Sequence, residues 1–312
     1  MKRSLPLLLT LACSAFLMSC GDETATQGDK PIVFVAAPPY QGLLEQIAGD
    51  FITVETLVSE GDDPHSYSPT PRKISDLSKA SLYFTAELPF EKSLHAKLKE
   101  GNPNVKIINL VAGLDRRAFK PGEHDHDHAH DDHDHAHDDH DHAHDDHDHG
   151  SEELDPHVWL APALLIEQVR KMTNSLGEIL SEEEKAKAQK NSESLVKSIT
   201  DTDKELAKTL APLRGEAFYV YHGAFGYFAD AYGLKQIPVE INGRSPEPKR
   251  LTALIKQAQS DEVKVIFVQP QFDQTSARSL ADSIGGSVVS IDPLAKDPVQ
   301  NLRDIAAKIG AQ

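Results

Sequence analysis

The sequence predicts an α/β protein of two lobes, each built on a mostly parallel sheet flanked by helices and joined to the other by one long helix. Three observations carry that reading. The chain has 312 residues, enough for roughly two domains at about 150 each. Short apolar runs alternate with stretches of helical periodicity, the signature of parallel strands under crossover helices. Finally, Glu182 to about Leu210 is one long, polar helical stretch, suited to bridging two lobes rather than filling one.

The elements follow in order. Ile32 to Ala36 is an apolar run stopped by Pro38-Pro39, hence a buried strand. Tyr40 to Gly49 has helical spacing through Leu43, Leu44 and Ile47, and ends at a glycine. Ile52 to Val58 alternates like a strand and leads into a loop, Glu60 to Pro69. Arg72 to Lys79 is a short helix, Leu82 to Thr85 a strand, Phe90 to Lys99 a helix and Val105 to Leu110 a strand. Ala163 to Leu180 repeats apolar residues at helical spacing. Ser181 followed by Glu182, Glu183 and Glu184 is a helix start, with serine as the cap and acids in the first turn. Beyond Gly215 come a strand (Ala217 to Tyr221), a helix (Gly223 to Tyr232) and a strand-like run (Lys235 to Val239). A turn-rich loop, Asn242 to Pro248, then leads to a helix, Lys249 to Ser260. A strand (Val265 to Val268), a helix (Thr275 to Ile284), a strand (Ser287 to Ile291) and a last helix (Val299 to Ile309) complete the chain. The predicted organisation is thus residues 31–180 for the N-terminal lobe, 181–212 for the linking helix and 213–312 for the C-terminal lobe.

The first residues read as an export signal. Lys2 and Arg3 precede an apolar stretch, Leu5 to Met18, too short for a permanent membrane span. Leu17-Met18-Ser19-Cys20 resembles a bacterial lipobox, so residues 1–20 form a lipoprotein signal with Cys20 as the lipidated residue. Residues 21–30 are small and polar, a flexible tether. The one other cysteine, Cys13, lies inside the signal, so no disulfide is expected.

The net charge is −17, but −12 of it sits between Glu123 and His149. The acidity is therefore local, and with no basic stripe nucleic acid is excluded as a partner. That stretch repeats HDHAHDD and holds twelve of the sixteen histidines: His124, His126, His128, His130, His133, His135, His137, His140, His142, His144, His147 and His149. It contains no apolar residue larger than alanine, so residues 121–152 are expected to be a disordered loop. Its imidazoles and carboxylates suit many weak, exchanging metal sites, which should empty below about pH 6 as the imidazoles protonate.

Four histidines remain, and three share a context. His65 and His222 lie just past the carboxyl ends of predicted strands, as does Asp292, where open α/β sheets bind ligands. His157 has no clear strand before it, yet Asp155-Pro156-His157 echoes Asp63-Pro64-His65. Proline stiffens the backbone before each histidine and lowers the entropy lost on fixing it. His95, mid-helix among lysines, reads as a solvated residue. Three imidazoles and a carboxylate match tetrahedral zinc, with a filled shell that favours binding over catalysis. Manganese prefers more oxygen, whereas copper or nickel would compete on affinity alone. Asp292, before Pro293, also suits a plain turn.

GDDPHSYSPTP (Gly61–Pro71), LDPHVWLAP (Leu154–Pro162), YHGAFGYFADAYGL (Tyr221–Leu234) and SIDPLAKD (Ser290–Asp297) together resemble the ZnuA-type zinc-binding proteins of bacterial ABC importers. The resemblance implies two α/β lobes joined by a rigid helix, with the metal in the cleft. It implies His65, His157 and His222 as ligands, and Asp292 as the match to a C-terminal aspartate of many relatives. It also implies one tightly held Zn2+, a lipid-anchored extracytoplasmic monomer, an ABC permease as partner, and no enzymatic activity. The His-rich loop would serve as a low-affinity collector or sensor. A manganese- or iron-type receptor, a surface metal buffer or adhesin, and a zinc hydrolase are the competing classes; the last lacks an HExxH motif or any nucleophile pattern.

Overall fold

The computed structural model describes residues 30–101, 105–119, 154–240 and 246–311. The expected signal with Cys20, most of the tether, the histidine/aspartate tract and part of the 242–248 loop lie outside the described residues.

The first sheet holds β1 (Ile32–Val35), β2 (Thr53–Thr56), β3 (Leu82–Thr85) and β4 (Lys106–Asn109) in the order β2-β1-β3-β4, every pair parallel. Helices α1 (Pro38–Ala48), α2 (Pro71–Leu77) and α3 (Glu91–Gly101) make its crossovers. Pro38 and Pro39, read as a strand stop, are also the first turn of α1, where a missing N–H costs nothing. After the tract come α4 (Pro162–Leu176) and α5 (Glu182–Thr209).

The second sheet holds β5 (Ala217–Val220), β6 (Lys235–Pro238), β7 (Val265–Val268) and β8 (Ser287–Ser290) in the equivalent order β6-β5-β7-β8, again all parallel. Its helices are α6 (Gly226–Tyr232), α7 (Pro248–Ser260), α8 (Thr275–Ser283) and α9 (Pro298–Gly310). Helix α6 begins three residues later than its periodicity predicts, because residues 223–225 are spent on the loop that follows His222. It stops at Gly233, whose φ of 71° is the left-handed conformation that glycine adopts without strain.

The second sheet is covered on both faces, and the alternation of its strands shows how. Phe218 and Val220 join the large core shared with the first lobe, whereas Tyr219 and Tyr221 point the other way, into a separate core with residues of α7 and α8. Helix α5, about 42 Å long at 1.5 Å per residue, starts with a capping box between Ser181 and Glu184. Its buried residues are Ala188, Ser192, Leu195, Ile199, Thr202 and Leu206, one narrow stripe on a mostly polar rod. That stripe packs on α1 and α4 from one lobe and α9 from the other. Helix α9 also reaches α1, so Pro31–Gln312 is one compact unit rather than two loosely tethered bodies. At Gly42 of α1 a side chain would collide with the Lys296 carbonyl, a measure of how closely the halves approach.

Candidate metal centre

The carboxyl ends of the strands deliver the site. His65 follows β2 in a turn built by its own motif: Asp63 Oδ1 accepts the His65 N–H at 2.9 Å, and Oδ2 accepts from Ser66 Oγ at 2.8 Å. His157 lies in a second such turn, its N–H donating to Asp155 Oδ1 at 3.0 Å, just before a single 3-10 turn, Val158–Leu160. An aspartate accepting from the backbone two residues on is the Asx turn, and proline between them leaves no competing donor. His222 comes two residues after β5, its main chain clasped by Gln269, which accepts the His222 N–H at 3.1 Å and donates to its carbonyl at 2.5 Å. Gln269 is itself the first residue after β7.

These three histidines, separated by up to 157 positions, converge. One ring nitrogen from each lies within 4.8 Å of the other two. His65 Nε2 and His222 Nε2 face each other at 3.1 Å. Two nitrogens bonded to one tetrahedral ion at about 2.0–2.1 Å would be about 3.3 Å apart, so this pair already has the spacing of a shared ion. The rings line a cavity of about 10 Å³ together with Phe272, Pro293 and Leu294, the size of a single water. His157 and His222 are buried, 4% and 5% exposed; His65 is half-buried.

The ring nitrogens that point away from the cavity are equally constrained. His157 Nδ1 lies 2.8 Å from Asp155 Oδ1, and His222 Nδ1 lies 2.5 Å from Glu240 Oε1. An ionised carboxylate only accepts, so Nδ1 carries the proton in both rings and Nε2 keeps its bare lone pair. Such carboxylate–imidazole pairs orient metal-binding histidines and raise their basicity. Burial alone would raise the Asp155 carboxyl; the hydrogen bonds from His157 and Arg117 outweigh it and hold it below the usual aspartate range. His222 also stacks on Phe272, with centroids 4.8 Å apart, and His157 meets Trp159 edge-on at 5.5 Å. Trp159, the sole tryptophan, donates its indole N–H to the Pro293 carbonyl at 2.7 Å and so ties the His157 turn to the second lobe.

Asp292 lies beside this cluster rather than within it. Its Oδ1 accepts from Gln271 Nε2 at 2.8 Å and from the Leu294 N–H at 2.9 Å, the same Asx turn as in the two Asp-Pro-His motifs. His95 is apart from the site as expected, but half-buried against the Tyr83 ring at 6.0 Å rather than solvated. The tract histidines lie outside the described residues. Sequence reasoning missed Glu240 and Gln269. Both sit one or two residues past a strand, Glu240 after β6 and Gln269 after β7, so the positional rule that selected His222 would have found them.

Comparison with known proteins bears on this arrangement. The sequence profile of a family described as "ZnuA: Zinc-uptake complex component A periplasmic" matches residues 33–308. The chain is 29% identical over 299 residues to the zinc-binding lipoprotein AdcA of Streptococcus pneumoniae strain R6, covering 94% of this chain but 55% of AdcA. It therefore spans about half the length of that relative. It is 29% identical over 296 residues to the high-affinity zinc uptake system protein ZnuA of Bacillus subtilis strain 168, covering 92% of this chain and 88% of that protein. A crystal structure of ZnuA superposes with a TM-score of 0.76 at 31% identity, covering 91% of this chain and 99% of that one. A ZnuA deletion mutant with zinc bound superposes with a TM-score of 0.75, also at 31% identity, over 90% and 97% of the two chains.

Proposed function

The chain belongs to the ZnuA family of periplasmic zinc-uptake components, and from that premise we propose that it captures one Zn2+ outside the cytoplasm and passes it to an ABC permease in the membrane. The family is one of solute-binding receptors, not enzymes. Among the described residues no helix is long and apolar enough to cross a membrane. Anchoring through a lipid on Cys20 supplies the membrane tether in this reading.

The observation that carries the proposal is the convergence of His65, His157 and His222 on one point. Three imidazoles, two of them backed by buried carboxylates, make a donor set for a borderline divalent ion. Oxygen-poor coordination of this kind favours zinc over manganese. Asp292 is the outer, weaker member: its Oδ1 is occupied by Gln271 and Leu294, which leaves Oδ2 as the oxygen to complete the shell. The histidines of the tract act as a low-affinity collector that raises the zinc concentration near the cleft.

Isothermal titration of zinc tests the proposal. The full chain and a chain lacking His124–His149 should both show one tight site, and His157→Ala should abolish it in each. Tight binding that disappeared with the tract and survived His157→Ala would overturn the assignment.

A further inference from the structure

One half-buried cation near the cleft takes no part in holding an ion, yet it is tied to both halves of the site. Arg117 is 9% exposed at its side chain. Its Nη1 donates to Asp155 Oδ2 at 2.7 Å, and its Nε donates to Asp230 Oδ2 at 2.9 Å. Its backbone N–H donates to the Tyr227 hydroxyl at 3.1 Å, and that hydroxyl donates to the Asp155 carbonyl at 3.1 Å. The guanidinium carbon lies 5.9 Å from the centre of the Tyr227 ring, within cation–π range. Space for it exists because residue 226 is glycine: a Cβ there would stand 1.7 Å from Nη1 and 2.9 Å from Asp155 Oδ2.

The two oxygens of Asp155 thus have separate duties. Oδ1 holds the His157 ring and N–H; Oδ2 is held by Arg117. Asp155 is wholly buried, so without Arg117 its Oδ2 would lose its charged donor, and the neighbouring guanidinium of Arg116, whose Nη2 donates to the Asp155 main-chain carbonyl at 3.4 Å, would be left as the nearby cation. The other arm of Arg117 reaches α6, the helix that starts four residues after His222. His157 and His222 are therefore linked twice, once across the cavity and once through Asp155, Arg117 and Asp230. A guanidinium can serve two carboxylates at fixed angles; an ammonium on a flexible stem holds one point.

We propose that Arg117 is a positioning residue that makes zinc retention depend on the seating of α6 against the first lobe, by fixing the carboxylate that orients His157. The inference rests on the zinc-receptor reading for its affinity arm, but not for its structural arm. Arg117→Gln should weaken zinc binding by about 10–100-fold, the usual cost of losing a partner behind a metal ligand. Gly226→Ala should reproduce much of that loss with no change of charge, by displacing the guanidinium. Asp230→Asn should give a smaller loss, at most about 10-fold, the lower end of that range, because Asp155 keeps its partner while the link to α6 is cut. Arg117→Lys should recover less than half of the Arg117→Gln deficit in log Kd.

The experiment is competition between the full chain and a tight chelator at buffered free zinc low enough to leave the tract empty. It is paired with 15N NMR of the metal-free chain at about pH 8, above the ordinary histidine pKa. Wild-type His157 should show a protonated Nδ1 and a bare Nε2, and Arg117→Gln and Gly226→Ala should show a mixture of tautomers. A fixed tautomer and wild-type affinity in Gly226→Ala and Asp230→Asn would overturn the proposal, even if Arg117→Gln failed to fold. A wild-type chain that bound no zinc tightly would instead sink the receptor reading, and the tautomer measurement would still decide the role of Arg117.

Discussion

Glu240 offers the sharpest test of how the site attracts a divalent ion. It is 4% exposed, its Oε1 holds His222 Nδ1 at 2.5 Å, and its Oε2 is buried with no hydrogen-bond partner among the described residues. An imidazole spans about 2.2 Å between its nitrogens, so an ion on Nε2 would sit about 6–7 Å from the carboxylate. At an effective dielectric of about 20, a −1 and a +2 charge at that distance attract by about 5 kcal/mol before desolvation is subtracted. Glu240→Gln removes the charge but leaves an amide carbonyl to accept the Nδ1–H bond, so the tautomer survives. We expect zinc affinity to fall by about 10–100-fold, or about 1.4–2.7 kcal/mol. Glu240→Leu removes charge and hydrogen bond together and should cost more. The metal-free protein should not lose stability in Glu240→Gln, because a buried carboxylate oxygen without a partner is itself unfavourable. Chelator-buffered zinc titration followed by the emission of Trp159, the sole tryptophan and a neighbour of His157, reads the affinity; urea unfolding reads the stability. Folded Glu240→Gln and Glu240→Leu variants that bound zinc within twofold of wild type would refute the electrostatic reasoning.

Three further outcomes are expected. Asp292→Asn should lower zinc affinity less than alanine at any of the three histidines, since the Asx turn survives with an amide oxygen; an equal loss in the same titration would make Asp292 a full member of the shell. Burial pushes the Glu91 carboxyl up to about 7, against the pull of the Tyr83 hydroxyl and the Leu88 and Ala86 N–H groups. A raised pKa means that the folded state holds a proton the unfolded state has released, so this contribution is full below about 4.5 and is lost as pH rises through 7. Between about pH 4.5 and 8 the wild type should therefore lose about 3 kcal/mol more stability than Glu91→Gln. Parallel urea-derived curves for the two proteins would contradict it. Ser181→Ala removes one half of the capping box of α5 and should cost about 1 kcal/mol by the same assay; a change below the error of the fit would show that the first turn is held by packing instead.

The fold was legible because period and punctuation agreed. Phe218 to Tyr221 shows why even a buried strand could be placed: its alternate residues serve two different cores, yet all are apolar, so the run announces a strand covered on both sides. The site was legible for a different reason. A parallel sheet puts every carboxyl end at one rim, so a histidine just past a strand is already near the ligand crevice before any contact is known. That rule applied to His65 and His222 works equally for Glu240 and Gln269, which were passed over because a carboxylate or an amide does not stand out as a histidine does. What no local pattern encodes is partnership across the chain. Arg117 meets Asp230 at a sequence separation of 113, and nothing near either residue distinguishes that pair from ordinary surface charges. The Asp-Pro-His motifs lie between these cases. Proline drew attention to the stiffness of the turn, but the aspartate contributes more, since it closes the turn on the backbone in both motifs and at Asp155 also holds the ring. One residue type can therefore build the loop in both motifs and, at Asp155, also set the tautomer of the imidazole two positions on; the spacing alone shows the turn, whereas the carboxylate behind His222 could be inferred only from its place at the end of β6.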